Sequence, residues 1–418
     1  MRDRLSERPR RVWLMGLTNA TYGYLYAVPL VTVPQQLAAR GVPQPTIANI
    51  TALVMAVSLA TFALAPVLDT TMSRRRWSLT LGLLATMLAL AVLLLPTASP
   101  LLAPVLAVMA LATSLYNAAI GGWLGAALPK SCDETVGTWF GIGNGLGFSL
   151  GAMGQFWLLT HLPAPYGALA VAGGSVMTLP ILLTLPRPSA DRRAMRESFG
   201  TLARDVTHLA RRGPVLRIAG LFAMPCAAFT LTNAFGGLGG DFHADAAVVG
   251  AANGMGQMVA SLLGALAIRL VLARMPAAVL YLLVGTVGGA FTLLLLPLPH
   301  TAPVYVLAVL GECVAQTCAQ VVQNTIIFRS IAPEDPLASS QFGMLQTALI
   351  VPYSYMQALD GYGYRLAGGV TGSLLMDAGA SLAACAVMAL PVLRWLRRGA
   401  LEADVPDRPF AQSEPRLA

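Results

Sequence analysis

The sequence predicts an all-α membrane protein with twelve transmembrane helices arranged as two six-helix bundles. Of its 418 residues, 56% are apolar and only 11% are charged, whereas an ordinary soluble domain carries about 25% charged residues. A single water-soluble core cannot hide so much apolar surface, but roughly 20 apolar residues span a bilayer as a helix. Disorder is excluded as well, because disordered chains are poor in apolar residues and rich in charge.

Twelve apolar runs, separated by Pro, Gly and charged residues, are long enough to be transmembrane helices. The first run follows a basic segment, as in a signal peptide, but it is too long for one, lacks a clear small-residue cleavage site and precedes many similar runs. We therefore count it as the first span. The predicted spans are 12–37, 47–68, 77–95, 102–128, 135–159, 166–185, 218–238, 247–271, 276–296, 302–328, 339–359 and 373–396.

The distribution of basic residues over the connectors predicts the orientation. If the N-terminus is cytoplasmic, 25 of the 27 Lys and Arg residues lie on the cytoplasmic side, and only Arg40 and Arg365 lie outside. This asymmetry follows the positive-inside rule. It predicts cytoplasmic N- and C-termini, an even number of spans and a multi-pass protein of the bacterial inner membrane. Insertion into a lipid bilayer thus accounts for the net charge of +8 without a nucleic-acid partner.

One long polar insert divides the chain into two sets of six spans. We predict an N-terminal bundle at 1–186, a linker at 187–214, a C-terminal bundle at 215–396 and a cytoplasmic tail at 397–418. Apolar residues recur in the linker at helical spacings among arginines, which indicates an amphipathic helix on the membrane surface. They are Met195, Phe199, Leu202, Val206 and Leu209. Such a helix either tethers the two halves or binds lipid or a partner.

The sequence lacks the motifs of soluble enzymes. It contains no HExxH, no phosphate-binding Walker A loop, no GxSxG and no buried Ser/His/Asp set. The five cysteines are scattered and predict neither a disulfide framework nor a metal site. We expect no enzyme activity, no cofactor and no metal. Without a nucleotide site, the energy source is an ion gradient or the solute gradient itself.

Glu312 is the one acidic residue that the predicted spans place at mid-bilayer. The other acidic residues fall in cytoplasmic segments, at span ends or, for Asp241, Asp245, Asp360 and Asp377, in or near outer connectors. No Lys, Arg or His accompanies Glu312 at that depth, and a charged side chain in hydrocarbon is costly. We therefore expect Glu312 to be protonated in at least one state and to couple proton movement to transport.

Amide, hydroxyl and tyrosine side chains are concentrated in predicted spans one, four, seven, ten and eleven. In span ten, Gln316 and Gln320 follow Glu312 at intervals of four residues. A polar stripe facing lipid is costly, so we expect it to line a cavity, or else to bond neighbouring helices. The tyrosines favour a ligand with ring or sugar faces as well as polar groups. The candidate solute-binding residues are Asn19, Tyr22, Tyr26, Tyr116, Asn117, Asn233, Gln316, Gln320 and Tyr353.

The connector after span two resembles a signature of the major facilitator superfamily. It reads Ala65-Pro66-Val67-Leu68-Asp69, followed by Ser73-Arg74-Arg75-Arg76. The family pattern is Gly-xxx-Asp-Arg-x-Gly-Arg-Arg; here Ala65 replaces the glycine, Thr70 replaces the first basic residue, and the spacing to the arginines is longer. The six-plus-six arrangement fits the same family. The resemblance implies the major facilitator fold and a cytoplasmic gate formed by Asp69 with Arg74 and Arg75.

Two further segments resemble the branch of that superfamily that contains muropeptide permeases, acetyl-coenzyme A transporters and some siderophore importers. They are 117–123, leading to 128–130, and 338–345. That branch commonly has acidic residues in its fourth span, where this chain has Asn117 and Gly121. The Gly-Pro motif of drug antiporters is missing from span five, which favours uptake.

Together these observations predict a secondary active transporter that moves a small polar or amphipathic solute across the bacterial inner membrane by alternating access, as a proton-coupled permease. The expected partners are the solute, protons and the lipid bilayer, and the expected state is a monomer. Export or facilitated diffusion through the same fold is an alternative. Another is a membrane-embedded sensor or assembly factor that does not transport.

Overall fold

The computed structural model describes residues 12–70, 72–177, 179–183 and 198–399, and these residues form helices and connectors without a β-strand. The predicted boundary between the N-terminal bundle and the linker, Met195 of the linker pattern and nearly all of the predicted tail lie outside the described residues.

Six helices form the N-terminal bundle. Three of them are composite: α1 changes pitch along its length, and α2 and α6 each end in a 3₁₀ segment. The bounds are α1, Val12–Gly16, Leu17–Asn19, Ala20–Ala27, Val28–Thr32 and Val33–Ala39; α2, Gln44–Leu59, Thr61–Leu64 and Ala65–Asp69; α3, Arg74–Leu94; α4, Leu102–Ala127; α5, Asp133–His161; and α6, Ala164–Val176 and Leu179–Leu183.

Six more helices form the C-terminal bundle, after a linker helix at Ser198–Arg211. Their bounds are α7, Gly213–Ala223 and Leu231–Leu238, followed by the 3₁₀ turn Gly239–Phe242; α8, Ala246–Ala251, Ala252–Gly256 and Gln257–Leu272; α9, Ala277–Leu295; α10, Ala302–Ser330; α11, Ala338–Ala367; and α12, Val370–Arg397. The predicted architecture of twelve helices in two bundles is confirmed.

Eight helices in the described ranges are by themselves long and apolar enough to cross a membrane. The other four are α1, α5, α7 and α11, and they carry the pitch changes, glycines and polar side chains that interrupt the apolar pattern. In α1 the cause is local. Pro29 and Pro34 have no N–H to donate, and a π-helical turn, Val28–Thr32, separates the α-helical segments of α1 at this point.

Helix α7 is broken inside the bundle, where the sequence predicts one continuous span at 218–238. The chain leaves the helix after Ala223 and re-enters it at Leu231. Pro225 removes a backbone donor at the break. Phe229 adopts a left-handed conformation with φ of 51°, which is strained for a bulky side chain. The prediction of continuity is wrong because an apolar run by itself does not show whether its backbone stays helical.

Close contact between α1 and α5 explains the glycines of α5. A Cβ atom on Gly147 would lie 2.1 Å from the carbonyl oxygen of Ala20, and one on Gly23 would lie 2.1 Å from that of Asn144. Only glycine permits backbones to approach so closely. The contact places Asn19 and Tyr22 of α1 beside Asn144 of α5.

The two bundles meet along α2, α4 and α5 on one side and α8, α10 and α11 on the other. We call the end of the molecule that carries Asp69, Lys130 and Ser339 the latch end, and the opposite end, which carries His161 and Ala367, the far end. A cavity lies between the bundles, and a network of polar contacts closes the latch end.

Candidate functional site

The cavity between the bundles encloses about 190 Å³. Helices α1, α2, α4 and α5 line it from one bundle, and α7, α8, α10 and α11 line it from the other. Eight of the nine candidate solute-binding residues contribute to the lining, so the structure brings together residues that lie more than 330 positions apart in the chain. They are Asn19, Tyr22, Tyr26, Asn117, Asn233, Gln316, Gln320 and Tyr353.

Tyr116 is the ninth candidate, and it does not line the cavity. Its side chain is fully buried in the N-terminal bundle, and its hydroxyl group donates a hydrogen bond to the carbonyl oxygen of Thr18 at 2.9 Å. Tyr116 also packs against Gly82 of α3. It therefore ties α4 to α1 and α3, while its neighbour Asn117 faces the cavity.

The lining within the described residues is uncharged and combines many amide and tyrosine side chains with apolar ones such as Leu30, Met55 and Phe148. It contains five asparagines, five glutamines and three tyrosines, and within the described residues no Asp, Glu, Lys, Arg or His contributes to it. Each amide offers two N–H donors and one carbonyl acceptor. The cavity therefore suits a solute with several hydroxyl or amide groups and offers no counter-charge to an ionic one.

The N-terminal half of the cavity presents acceptors that the protein leaves unsatisfied. The Nδ2 atom of Asn19 donates to the carbonyl oxygen of Phe140 at 3.1 Å, but Asn19 Oδ1 and Asn117 Oδ1 have no partner although both atoms are buried. Unpaired buried acceptors are costly, and a solute hydroxyl would satisfy them. Tyr22 and Tyr26 stand beside these amides with ring centroids 5.1 Å apart.

The C-terminal half is built mainly on α10 and α11. Gln346 donates from Nε2 to Asn324 Oδ1 at 3.3 Å, which links the two helices. The Nε2 atom of Gln323 lies 3.5 Å from the Tyr281 hydroxyl group of α9, which holds the glutamine in place. Gln316 and Gln320, on the same helix as Gln323, line the cavity beside these linked amides.

Several polar lining residues were not among the candidates, including Asn144 and Ser149 on α5, and Gln257 and Ser261 on α8. A signal for the second pair exists in the sequence, because Gln257 and Ser261 repeat the four-residue spacing that marks α10. Asn144 was hidden by its glycine-rich surroundings, which indicate close packing rather than ligand contact.

Glu312 faces the interior of the C-terminal bundle, not the cavity. Its side chain is fully buried, Oε1 accepts a hydrogen bond from the Thr292 hydroxyl group of α9, and Oε2 has no partner. Gln316, one helical turn further along α10, lines the cavity. The carboxyl group is therefore one helical turn away from the cavity lining.

Two further acidic residues, beyond the predicted end of span eleven and near the start of span twelve, lie in helices of the C-terminal bundle. These residues are Asp360 and Asp377, and their side chains are 5% and 1% exposed. Helix α11 extends to Ala367, eight residues past the predicted end, and α12 begins at Val370 instead of position 373. Hydropathy alone ended the predicted span at the first charged residue, whereas the helix continues through it.

The predicted gate residue Asp69 sits at the centre of the latch end. Arg74 donates to Asp69 Oδ1 from Nε and Nη2, at 3.0 and 2.8 Å. From the other bundle, the backbone N–H groups of Ser339 and Ser340 donate to the two carboxylate oxygens at 3.1 and 2.8 Å. These N–H groups belong to the first turn of α11, where a helix has unpaired donors and favours a negative charge.

Arg75, the third predicted gate residue, does not join this network. Its guanidinium group donates to the carbonyl oxygen of Leu183 at 2.8 Å, within its own bundle. Of these two arginines, Arg74 is the one that reaches across, donating to the backbone carbonyl oxygens of Asp335 and Pro336 and to Ser339 Oγ.

A second set of contacts, not predicted from the sequence, closes the latch end beside α5. The Lys130 ammonium group donates to the carbonyl oxygens of Phe328, Arg329 and Ile331 at the end of α10. Burial lowers the pKa of Lys130 from its ordinary value, and the Asp133 carboxylate, 3.4 Å away, opposes that effect. Arg329 in turn forms an ion pair with Glu134. The bundles are thus joined at one end by charged and backbone groups together.

A sequence profile described as the Major Facilitator Superfamily matches residues 12–351. No curated protein matches the chain. Among solved structures, the proton:xylose symporter XylE bound to 6-bromo-6-deoxy-D-glucose is 10% identical, with a TM-score of 0.67 over 91% of this chain and 95% of that one.

Two further structures share the fold. The major facilitator transporter FucP in the outward conformation is 13% identical, with a TM-score of 0.66 over 90% of this chain and 99% of that one. The human organic anion transporter MFSD10 (TETRAN) is 14% identical, with a TM-score of 0.60 over 90% and 98%. Because the profile covers most of the chain, and the twelve helices and the central cavity agree with it, the chain belongs to the major facilitator superfamily and is a membrane transporter, not an enzyme.

Proposed function

We propose that this protein is a secondary active transporter that takes up a small uncharged solute, rich in hydroxyl or amide groups, by proton symport and alternating access. The observation that carries the proposal is the cavity between the bundles, whose described lining holds ten amide side chains and three tyrosines but no charged side chain. A site at the interface of two bundles is reached from either side when the bundles rock against each other.

The chemistry of the lining selects the solute class. An uncharged polyhydroxyl or amide-bearing molecule, such as a sugar or a sugar derivative, can exchange its hydrogen bonds with water for bonds to these amides. Tyr22, Tyr26 and Tyr353 supply apolar ring faces for its carbon skeleton. Within the predicted branch, this favours a muropeptide-like sugar over a coenzyme A ester, because a polyphosphate would meet no Lys or Arg among the described lining residues.

Glu312 is the residue proposed to couple proton movement to the solute. It is buried, it accepts a hydrogen bond from the neutral hydroxyl group of Thr292, and it is one turn from Gln316 in the cavity. If this carboxyl group loses its proton, the resulting negative charge needs new hydrogen-bond donors or water. Binding of a proton and binding of the solute therefore both act on the position of α10.

The latch end is proposed to be cytoplasmic. The count of 25 of 27 basic residues on that side supports cytoplasmic termini in a bacterial inner membrane. In this orientation, the contacts at the latch end close the cytoplasmic gate. A monomer is sufficient for the proposed cycle, because one chain supplies both bundles and the whole cavity.

Uptake into liposomes tests the function. The purified protein is reconstituted, an inward proton gradient is imposed, and radiolabelled neutral sugars, amino sugars and peptides are supplied in turn. We expect accumulation of one class against its gradient and loss of that accumulation with a protonophore. Accumulation that persists with the protonophore would contradict proton symport, downhill flux alone would indicate a uniporter, and binding without flux would indicate a sensor.

Glu312→Gln tests the coupling residue in the same vesicles. We expect accumulation to be lost while exchange of labelled for unlabelled solute continues, because the cavity is intact. Asp245→Asn is the matched control, since Asp245 is exposed at the start of α8 and asparagine retains its capping oxygen for Val248, and it should accumulate solute like the unaltered protein. Unchanged accumulation in Glu312→Gln would remove Glu312 from the coupling mechanism.

A further inference from the structure

A second polar cluster lies inside the C-terminal bundle, away from the cavity. It consists of Thr230, which follows the break in α7, Asp360 of α11 and Asp377 of α12. Their side chains are 1%, 5% and 1% exposed, and none of them lines the cavity. The proposed coupling by Glu312 leaves these three residues without a role.

The hydrogen-bond geometry of the cluster favours a proton beyond the one on the threonine hydroxyl group, although the backbone N–H group of Thr230 also donates to Asp377. The Thr230 hydroxyl oxygen lies 2.6 Å from Asp360 Oδ2 and 3.1 Å from Asp377 Oδ1. A hydroxyl group carries one hydrogen and can donate to only one of them. If both aspartates were ionised, one carboxylate would accept the hydrogen of the Thr230 hydroxyl group, and the second carboxylate would face a lone pair of the same hydroxyl oxygen. If one aspartate is protonated, it donates to Thr230 while Thr230 donates to its partner, and both contacts become favourable.

Among the described residues, no cation balances the two carboxyl groups. In these ranges the ion pairs lie at the latch end and in the linker, and none reaches Asp360 or Asp377. Arg365 shares α11 with Asp360, but it is exposed at the far end. Thr230 is the hydrogen-bonding neighbour of the pair, and Asp360 Oδ1 remains without a partner. Two carboxyl groups that share a buried site do not both ionise without a compensating positive charge.

The groups around the pair make full ionisation still less favourable. Glu312 of α10 interacts electrostatically with both aspartates and has a buried oxygen without a partner. The other titratable side chains near the pair in the bundle interior are neutral or acidic: Asp241 and Tyr364, which are hydrogen bonded to each other nearer the far end, and Cys226 and Cys385 on the latch side.

We infer that Asp360 and Asp377 share one proton through Thr230 and form a proton-binding site of the C-terminal bundle, distinct from Glu312 and from the solute cavity. A metal ion fits the cluster less well, because no group of three His, Cys, Asp or Glu side chains among the described residues is placed to hold one. The ligand of the site is therefore the proton itself.

The site connects a proton to the broken helix. Thr230 follows Phe229, whose strained backbone is held in place by packing of its ring on Gly288 of α9. The segment is also attached to α11 and α12 by the contacts of Thr230 and to α12 by the hydrogen bond from Cys385 Sγ to the Cys226 carbonyl oxygen. Loss of the shared proton removes one of the Thr230 contacts and leaves two like charges beside the break. The protonated pair therefore stabilises the broken form of α7.

Infrared difference spectroscopy of the purified full-length protein in nanodiscs tests the site. Glu312→Gln serves as the background, because a protonated Glu312 would give a band of its own. In this background we expect a carbonyl band of a protonated carboxyl group at neutral pH, and we expect Asp360→Asn and Asp377→Asn each to abolish it. Either substitution removes the repulsion and leaves amide and hydroxyl donors for the remaining carboxylate. The double variant should lose no more signal than either single variant, because one proton is shared.

Three controls show whether the band comes from a proton held by this pair. Asp241→Asn, outside the pair, should retain the band. Thr230→Val retains both carboxyl groups but removes the bridge, so it should shift the band, and it keeps the test valid if an aspartate variant does not fold. Replacement of choline chloride by sodium chloride should leave the band unchanged; its loss would indicate a sodium site and overturn the proton assignment.

Persistence of the band in both Asp→Asn variants, or its absence from the Glu312→Gln background, would also overturn the inference. The measurement uses protein without solute. If the protein showed no uptake, this test of the shared proton would still be valid. If Asp360 and Asp377 did not share a proton, coupling by Glu312 would still be possible.

Discussion

The carboxylate of Asp69, at the end of α2, accepts a hydrogen bond from the hydroxyl group of Ser340, in the first turn of α11, at 2.7 Å. The two residues are 271 positions apart and belong to different bundles. Asp69 also accepts the backbone N–H groups of Ser339 and Ser340. One bundle thus supplies the capping group for a helix of the other, and the cap exists only while the latch end is closed.

Asp69→Asn should open the latch end. The substitution removes the charge that pairs with Arg74 and with the first turn of α11, and breaking a buried ion pair costs about 3 kcal/mol or more. Double electron–electron resonance between spin labels at Ser131 and Pro333, which are exposed on opposite bundles at this end, should show a population at longer distance. Arg75→Gln is the control and should retain the short distance, because Arg75 bonds within its own bundle.

Gly122→Ala should open the same end without removing a hydrogen bond. A Cβ atom at this position would lie 2.4 Å from the Cα atom of Ser339, and since that atom is backbone, the bundles must separate. Overpacking of this kind costs roughly 1–3 kcal/mol. The same spin-label pair measures the effect. Gly154→Ala, with no heavy atom within 4 Å of the new methyl group, should leave the distance unchanged, and equal distances in both variants would show that this contact does not hold the latch.

Gln320→Ala should weaken solute binding without loss of folding. The side chain lines the cavity, and the loss of one hydrogen bond of about 1 kcal/mol raises the dissociation constant roughly fivefold. Calorimetry with the transported solute measures this change. Tyr116→Phe is the matched comparison: it should lower the melting temperature, because Thr18 loses its buried donor, but should bind solute normally. Weaker binding in Tyr116→Phe would mean that the cavity depends on the α1–α4 contact.

Thr292→Val should destabilise the C-terminal bundle. It removes the hydroxyl donor of Glu312 and leaves the buried carboxyl group without a partner, at a cost of about 1–3 kcal/mol. Thermal unfolding in detergent measures the loss. Thr286→Val, on the same helix, removes a hydroxyl group that donates to the Leu282 carbonyl oxygen of its own helix, and we expect a smaller effect. Equal destabilisation by both substitutions would show that Thr292 contributes through its helix and not through Glu312.

Much of the site was accessible from the sequence because polar residues in long apolar helices are few and therefore informative. Asn19, Asn117 and Gln320 were identified in this way, and they line the cavity. The direction of a side chain was less accessible. Residues four apart in an α-helix differ by about 40° in direction, so a stripe that begins with Glu312 has turned substantially by Gln320. That rotation is enough to place the carboxyl group inside the bundle and the glutamine in the cavity.

Length, hydropathy and sparse charge are properties of each segment alone, and they suffice to predict a membrane protein with twelve helices. The rotation of the helices, the break in α7 and the meeting of Asp360 and Asp377 at Thr230 became apparent in the folded chain and not before. These relationships depend on side chains from distant segments that share one buried site. Their free energies arise from contacts that no single segment contains.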